Sequence, residues 1–139
     1  MNRLSRGGVL TIVVAAGVTV MMAGTAAQQS NFMGGNPTQL DAKAIRTLRL
    51  KFPAGSRSNW HSHSHGQLLM VEEGKGRTQE RGGPLREMTP GTPWHTKAGV
   101  EHWHGADPAQ DVVQLTIYEG DVKWLEPVTD AVYKATPKK

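Results

Sequence analysis

The six histidines of this chain crowd into two short windows, His61, His63 and His65 in the first and His95, His102 and His104 in the second. Imidazole is the side chain most often used to bind transition metals, and it also gains or loses a proton near neutral pH. Along an extended strand successive side chains alternate faces, and residues two apart lie about 6.5 Å from each other. His61, His63 and Gln67 therefore share a face if the backbone here is extended. Two imidazoles at that spacing can turn inward and meet a single ion at about 2.0 to 2.1 Å. A facing strand is then expected to supply His102. The competing reading is an exposed polar strand with solvated histidines. Against it, Leu68, Leu69, Met70 and Val71 follow directly, so the strand heads into a core where several unpaired imidazoles are costly without a shared partner.

His104 lies two places beyond His102 and so on the same face, where it is expected either to act as a base near the ion or to sit at the mouth of the fold. His65, next to Gly66, is expected at a rim. His95, after Trp94, either lines a cavity or faces solvent. Trp60, Trp94 and Trp103 flank these windows; they fit either an aromatic wall for an apolar small molecule or ordinary core. Glu72 and Glu73 precede a Gly-rich turn and read as a solvated hairpin end. No Ser-His-Asp ordering, phosphate loop or carboxylate pair stands out.

The elements that must position these residues are short strands. Leu48, Leu50 and Phe52 alternate with Arg49 and Lys51, the period of a half-buried strand, and Pro53-Ala54-Gly55 ends it. Further breaks fall at Glu73-Gly74-Lys75-Gly76, Arg81-Gly82-Gly83-Pro84, Pro90-Gly91, Ala98-Gly99 and Asp107-Pro108. The last strand is expected at Val112 to Tyr118, with Val113, Leu115 and Ile117 on one face and Val112, Gln114, Thr116 and Tyr118 on the other. A short helix is expected at Thr129 to Ala135. This rhythm predicts an all-β fold, a small antiparallel barrel with a short C-terminal helical segment.

With 139 residues the chain has room for one domain, since an ordinary core takes about 100 to 150. Arg3 and Arg6 precede an apolar run from Val9 to Ala23, and Gly24-Thr25-Ala26-Ala27 offers small residues for cleavage. Residues 1–27 are thus expected to be a signal peptide, 28–39 a flexible leader and 40–139 the domain. The run is shorter than the roughly 20 residues that span a bilayer, so the mature chain is expected in the periplasm or secreted, and free of the membrane. Losing Arg3 and Arg6 takes the 16 Lys and Arg to 14, against 12 Asp and Glu. That small excess sits at the tail in Lys134, Lys138 and Lys139, and no basic stripe interleaved with aromatics suggests nucleic acid. There is no cysteine, so any metal must rest on nitrogen and oxygen ligands.

Here the chain resembles the cupin superfamily. Its first motif stands as Gly55, His61-Ser62-His63, Gln67 and Gly74, with Gln where the family usually has Glu. Its second stands as Gly91, Gly99 and His102, with Lys97 in the usual place of Pro and Ala106 in that of Asn. The wording is closer still to small bacterial cupins of the quercetin-dioxygenase-like kind, among which are manganese-dependent hydroxynitrile lyases. The matching pieces are His61-Ser62-His63-Ser64-His65-Gly66-Gln67, His102-Trp103-His104-Gly105-Ala106 and the tail from Trp124 to Tyr133. The resemblance implies a jelly-roll fold and a homodimer, with the Ala44 to Phe52 edge strand a candidate for pairing across subunits. It also implies one divalent ion (Mn, Fe, Zn, Ni or Co) on His61, His63, Gln67 and His102. Those lyases carry a barrel-facing histidine on the last strand, where Gln114 stands here, a departure that speaks against cyanohydrin chemistry; His104 and Gln114 are the candidate catalytic residues.

Three neutral imidazoles and a neutral amide leave the ion its full charge, which favours polarising a bound hydroxyl or carbonyl over redox cycling. The expected function is a lyase or isomerase acting on a small hydroxy or carbonyl compound. A dioxygenase of the quercetinase-like kind and a non-catalytic periplasmic module that binds a metal or small ligand are the alternatives.

Overall fold

The computed structural model describes residues 32–138. The signal peptide expected over 1–27 and the first part of the leader lie outside the described residues. From Gln39 onward the chain forms one compact unit. Among the described residues its strands are β1 (Ile45–Phe52), β2 (His61–His63), β3 (Gln67–Gly74), β4 (Gly76–Glu80), β5 (Arg86–Met88), β6 (Trp94–Thr96), β7 (His102–Ala106), β8 (Val112–Glu119) and β9 (Val122–Trp124), followed by one short helix, α1 (Asp130–Tyr133).

These strands make two antiparallel sheets, in the orders β1-β8-β3-β6 and β5-β4-β7-β2-β9. The expected antiparallel jelly roll is present, as two facing sheets with open edges and not as a closed barrel. Alternation places the residues as elementary strand geometry requires. Val112, Gln114 and Thr116 of β8 are buried, while Val113, Leu115 and Ile117 on its other face are half-buried. On the edge strand β1, Arg49 reaches Glu72 and Lys51 reaches Asp111. Such exposed pairs add little stability, but charge along an edge opposes strand-to-strand aggregation. Glu72 is thus a surface ion-pair partner at the hairpin end.

Three expectations need correcting. The strand expected to carry His61, His63 and Gln67 is broken at Gly66, whose φ of 88° is left-handed and whose added Cβ would lie 2.7 Å from the Thr96 carbonyl oxygen. Here the chain crosses from one sheet to the other, so His61 and His63 lie in the second sheet and Gln67 in the first. Secondly, His102 comes from a strand in the same sheet as His61, its direct register partner, and not from a facing one. Thirdly, β8 is not the last strand, because β9 follows and pairs with β2.

Hydrophobic burial is divided. Between the sheets lie Leu69, Val71, Met88, Ala106 and Val112. On the outer side of the second sheet Trp60, Leu85, Trp103, Val128 and Tyr133 form another cluster. α1 lies within the expected helical segment and is capped by Thr129, whose hydroxyl accepts from the Val132 amide. It delivers Tyr133 to the outer cluster, where the phenol donates to the Ala106 carbonyl at 2.9 Å and the Arg57 guanidinium lies 4.3 Å from the ring centroid. Trp60 and Trp103 are therefore core residues and not a cavity wall, and Trp94 packs half-buried against the inner core.

Candidate metal centre and cavity

At one end of the space between the sheets, strand alternation turns His61 and His63 of β2, Gln67 of β3, His102 and His104 of β7 and Gln114 of β8 inward, each 4% exposed or less. Backbone oxygens and one amide oxygen fix the ring orientations. The Nδ1–H of His61 donates to the Asn59 carbonyl at 2.9 Å, and that of His102 to the Val100 carbonyl at 3.0 Å. The Nδ1–H of His104 donates to Gln114 Oε1 at 2.9 Å, while the same amide donates its own N–H to the Gly105 carbonyl. Each imidazole thus keeps its proton on Nδ1 and a lone pair on Nε2, the arrangement that outer hydrogen bonds impose on metal-binding histidines.

One nitrogen from each of His61, His102 and His104 lies within 4.8 Å of the others. The His63 ring is 5.3 Å from that of His61 and 5.7 Å from that of His102, centroid to centroid, and neither of its buried nitrogens has a hydrogen-bond partner. Gln67 Oε1 lies 2.7 Å from His102 Nε2. Since the His102 proton is on Nδ1, both of these atoms are acceptors. Either a rotated amide or a cation reconciles them.

Burial dominates the proton affinities. It pushes His63 and His102 down to about 4 and His104 down to about 3, with the neighbouring imidazoles adding to the effect, and it lowers His61 as well. At neutral pH all four rings are unprotonated, the form that binds metal. Orphaned nitrogens, lone pairs aimed at one another and an all-N,O donor set fit a divalent ion. Three buried histidines are placed to hold one.

The cavity beside this cluster encloses about 260 Å³. Leu48, Leu50, Phe52 and Val122 give it an apolar lining, and Ser58, Thr116, Tyr118 and Trp124 complete the wall beside His61, His63, Gln67 and His104. Trp124 is 62% exposed and its ring lies 4.9 Å from that of His61. Among the histidines, His65 and His95 stay outside the cluster. His65 is exposed with its ring against the Ser64 hydroxyl, and His95 is exposed opposite Leu68. Sequence reasoning did not single out Thr116, Tyr118 or Trp124 for the site. The alternation of β8 that placed Gln114 inward carried the signal for the first two, and Trp124 stood only at the head of the tail that carries the family resemblance.

Residues 48–118 match the Cupin domain family, and the chain belongs to the cupin family. It is 37% identical over 98 residues to the (R)-mandelonitrile lyase of Granulicella tundricola, a match covering 68% of this chain and 75% of that one. Among solved structures it is similar to a cupin-like protein from Thermotoga maritima, with 38% identity and a TM-score of 0.64 over 66% of this chain and 71% of the other. A polyketide cyclase from Streptomyces resistomycificus shares the fold, with a TM-score of 0.54 at 18% identity over 67% of this chain and 68% of that one.

Proposed function

We propose that this chain is a metal-dependent enzyme of the lyase or isomerase type that acts on a small hydroxy or carbonyl compound, with His61, His63, Gln67 and His102 holding one divalent ion. The observation that carries this reading is a set of buried imidazole lone pairs in the wall of an apolar, small-molecule-sized cavity. His104 belongs to the compact trio of nitrogens, but its Nδ1 is already engaged by Gln114, whereas both nitrogens of His63 are without a partner and Gln67 Oε1 faces the His102 lone pair. His63 and Gln67 are therefore assigned to the ion, and His104 stands beside it as the proton acceptor.

The mandelonitrile lyase relative makes aryl cyanohydrins the first substrates to consider. In cyanohydrin cleavage His104 Nε2 takes the hydroxyl proton, the bond to the nitrile carbon breaks as the carbonyl forms, and the departing cyanide takes the electron pair and then the proton. Burial makes His104 a weak base, so the hydroxyl must be acidified, and that is the Lewis-acid chemistry a bound divalent ion supplies. Gln114 holds the His104 tautomer but cannot itself carry a proton at this pH, which leaves His104 alone with that task. Leu50 and Phe52 give the cavity apolar surface, and Trp124 and Tyr118 offer faces to an aromatic ring.

The test is metal analysis of the purified protein together with benzaldehyde release from mandelonitrile, and turnover of other small hydroxy and carbonyl compounds, with and without oxygen. The expected result is oxygen-independent turnover that His104→Ala abolishes while its metal content stays whole. Turnover that stops without oxygen would replace this reading with the dioxygenase. Metal and ligand binding without turnover would leave a binding module. The proposal extends to an exported mature chain starting after residue 27, tested by its N-terminal mass. It extends also to a homodimer through β1, where Ile45 and Leu48 are exposed, tested by sedimentation at micromolar concentration.

A further inference from the structure

Thr116 is 2% exposed, its Oγ1 has no hydrogen-bond partner, and it lines the cavity. A buried hydroxyl left unsatisfied costs about 1 to 3 kcal/mol, so its presence in the cavity wall calls for a partner. No side chain beside it on the neighbouring strands supplies one: its register partners are Leu48 on β1 and Leu69 on β3. Its own strand sets its direction. Gln114, Thr116 and Tyr118 share the inward face of β8; Gln114 touches His104, and the Tyr118 ring lies 4.6 Å from that of His63. Thr116 stands between them, opposite the gap between His104 and His63.

We propose that the Thr116 hydroxyl anchors a second hydrogen-bond acceptor carried by the substrate, so that the cavity selects hydroxy compounds bearing an acceptor such as a nitrile close to the reacting oxygen. This rests on the reading above that a small hydroxy or carbonyl compound occupies the cavity. With the reacting oxygen at the histidine cluster and a ring against Trp124, the anchor is a third point of contact, which fixes how the molecule is turned. A simple alcohol lacks it.

The experiment compares two inert ligands by calorimetry on the protein purified with its metal: β-hydroxy-β-phenylpropionitrile, and the same alcohol with a methyl group in place of the nitrile. Neither has a leaving group that can depart as cyanide, so binding is read without turnover. The wild type is expected to prefer the nitrile by about threefold to tenfold, the range of one net hydrogen bond. Thr116→Val should erase the preference and Thr116→Ser should restore it. Thr96→Val should leave it unchanged, because Thr96 also has a buried, unpartnered hydroxyl but does not line the cavity. Thr116→Val should also keep or raise the melting temperature, whereas a hydroxyl with a structural partner would make it fall.

Absence of any preference in the wild type, a preference that survives Thr116→Val, or a melting temperature lowered by that change would each overturn the assignment. If Thr116→Val fails to fold, Thr116→Ala and the wild-type comparison decide in the same way. A preference that follows Thr116 in a protein that turns over no hydroxy or carbonyl compound would uphold the anchor and remove the enzymatic reading alone.

Discussion

The space between the two sheets is filled in opposite ways at its two ends, although the same strands run through both. β3 presents Gln67 at one end and then Leu69 and Val71 toward the other; β7 presents His102 and His104 and then Ala106; β8, running the other way, presents Val112 and then Gln114 and Thr116. Each strand changes from polar to apolar along its length without any change in its alternation, β3 earlier than β8, since Leu69 is paired with Thr116 and Val71 with Gln114. The apolar end is filled by five side chains that carry no nitrogen or oxygen, with the Trp94 indole packed against them. The polar end keeps two bare nitrogens on His63 and a bare hydroxyl on Thr116. Groups of that kind cost stability unless a ligand meets them, so one end holds the fold together and the other keeps unmet polar groups at the fold's expense.

If that division is right, substitutions at the two ends should fail in different ways. The largest effect expected is on metal content. His102→Ala removes a ring that faces both His61 and Gln67, and affinity should fall by more than the roughly 10- to 100-fold that loss of an outer hydrogen-bond partner costs. Elemental analysis after dialysis against a chelator reads this directly. Full metal content in His102→Ala would put the ion elsewhere. His63→Ala should lose metal likewise, while His104→Ala should keep it; the reverse result would make the compact trio of His61, His102 and His104 the binding set. At the other end, Leu69→Ala opens a cavity in a fully buried position and should cost about 2 to 5 kcal/mol by denaturant unfolding, with the metal still bound in the protein that remains folded.

The two ends should also part company with pH. Burial holds His63 and His102 down at about 4 and His104 at about 3, against an ordinary value of 6.5. Below 6.5 the unfolded chain therefore binds protons that the folded one refuses, and stability falls as pH drops from about 6.5 toward 4. The denaturant midpoint of metal-free protein should be lower at pH 5 than at pH 7. Leu69→Ala should shift both midpoints equally. A flat profile would mean that these rings are not neutral and buried in the folded chain.

Some of this was legible from residues alone because strand periodicity is local. The alternation from Val112 to Tyr118 put Gln114 and Thr116 on one face, the pair of histidine windows picked out the strands that meet at the cluster, and the short helix expected at Thr129 to Ala135 contains α1. What periodicity cannot supply is which sheet a strand joins. The crossing at Gly66, the register that sets His61 beside His102, and the return of β9 that carries Trp124 to the cavity mouth all depend on long-range pairing. The same ignorance left Trp60 and Trp103 open between cavity and core. Trp103 alternates with His102 and His104, so once those two point inward it must point out, into the cluster covered by Tyr133.

The smallest change in side-chain shape, Gln67→Glu, tests the charge of the polar end without disturbing its form. The two side chains have the same length, and a buried carboxylate is tolerated only with a partner. His102 Nε2, 2.7 Å away, is that partner. In metal-free protein the carboxylate should draw a proton onto His102 and raise it from about 4 toward the ordinary imidazole range, which proton NMR of the histidine rings against pH can follow. Metal content at neutral pH should hardly change, since a carboxylate is itself a good ligand. Loading should depend more steeply on pH, because the His102 proton must now leave before the ion enters. A carboxylate cancels one unit of the ion's charge and leaves the substrate hydroxyl less acidic, so benzaldehyde release should fall although the metal stays. An unmoved His102 titration would separate the two residues, and an undiminished rate would show that the neutral amide is not what tunes the reaction.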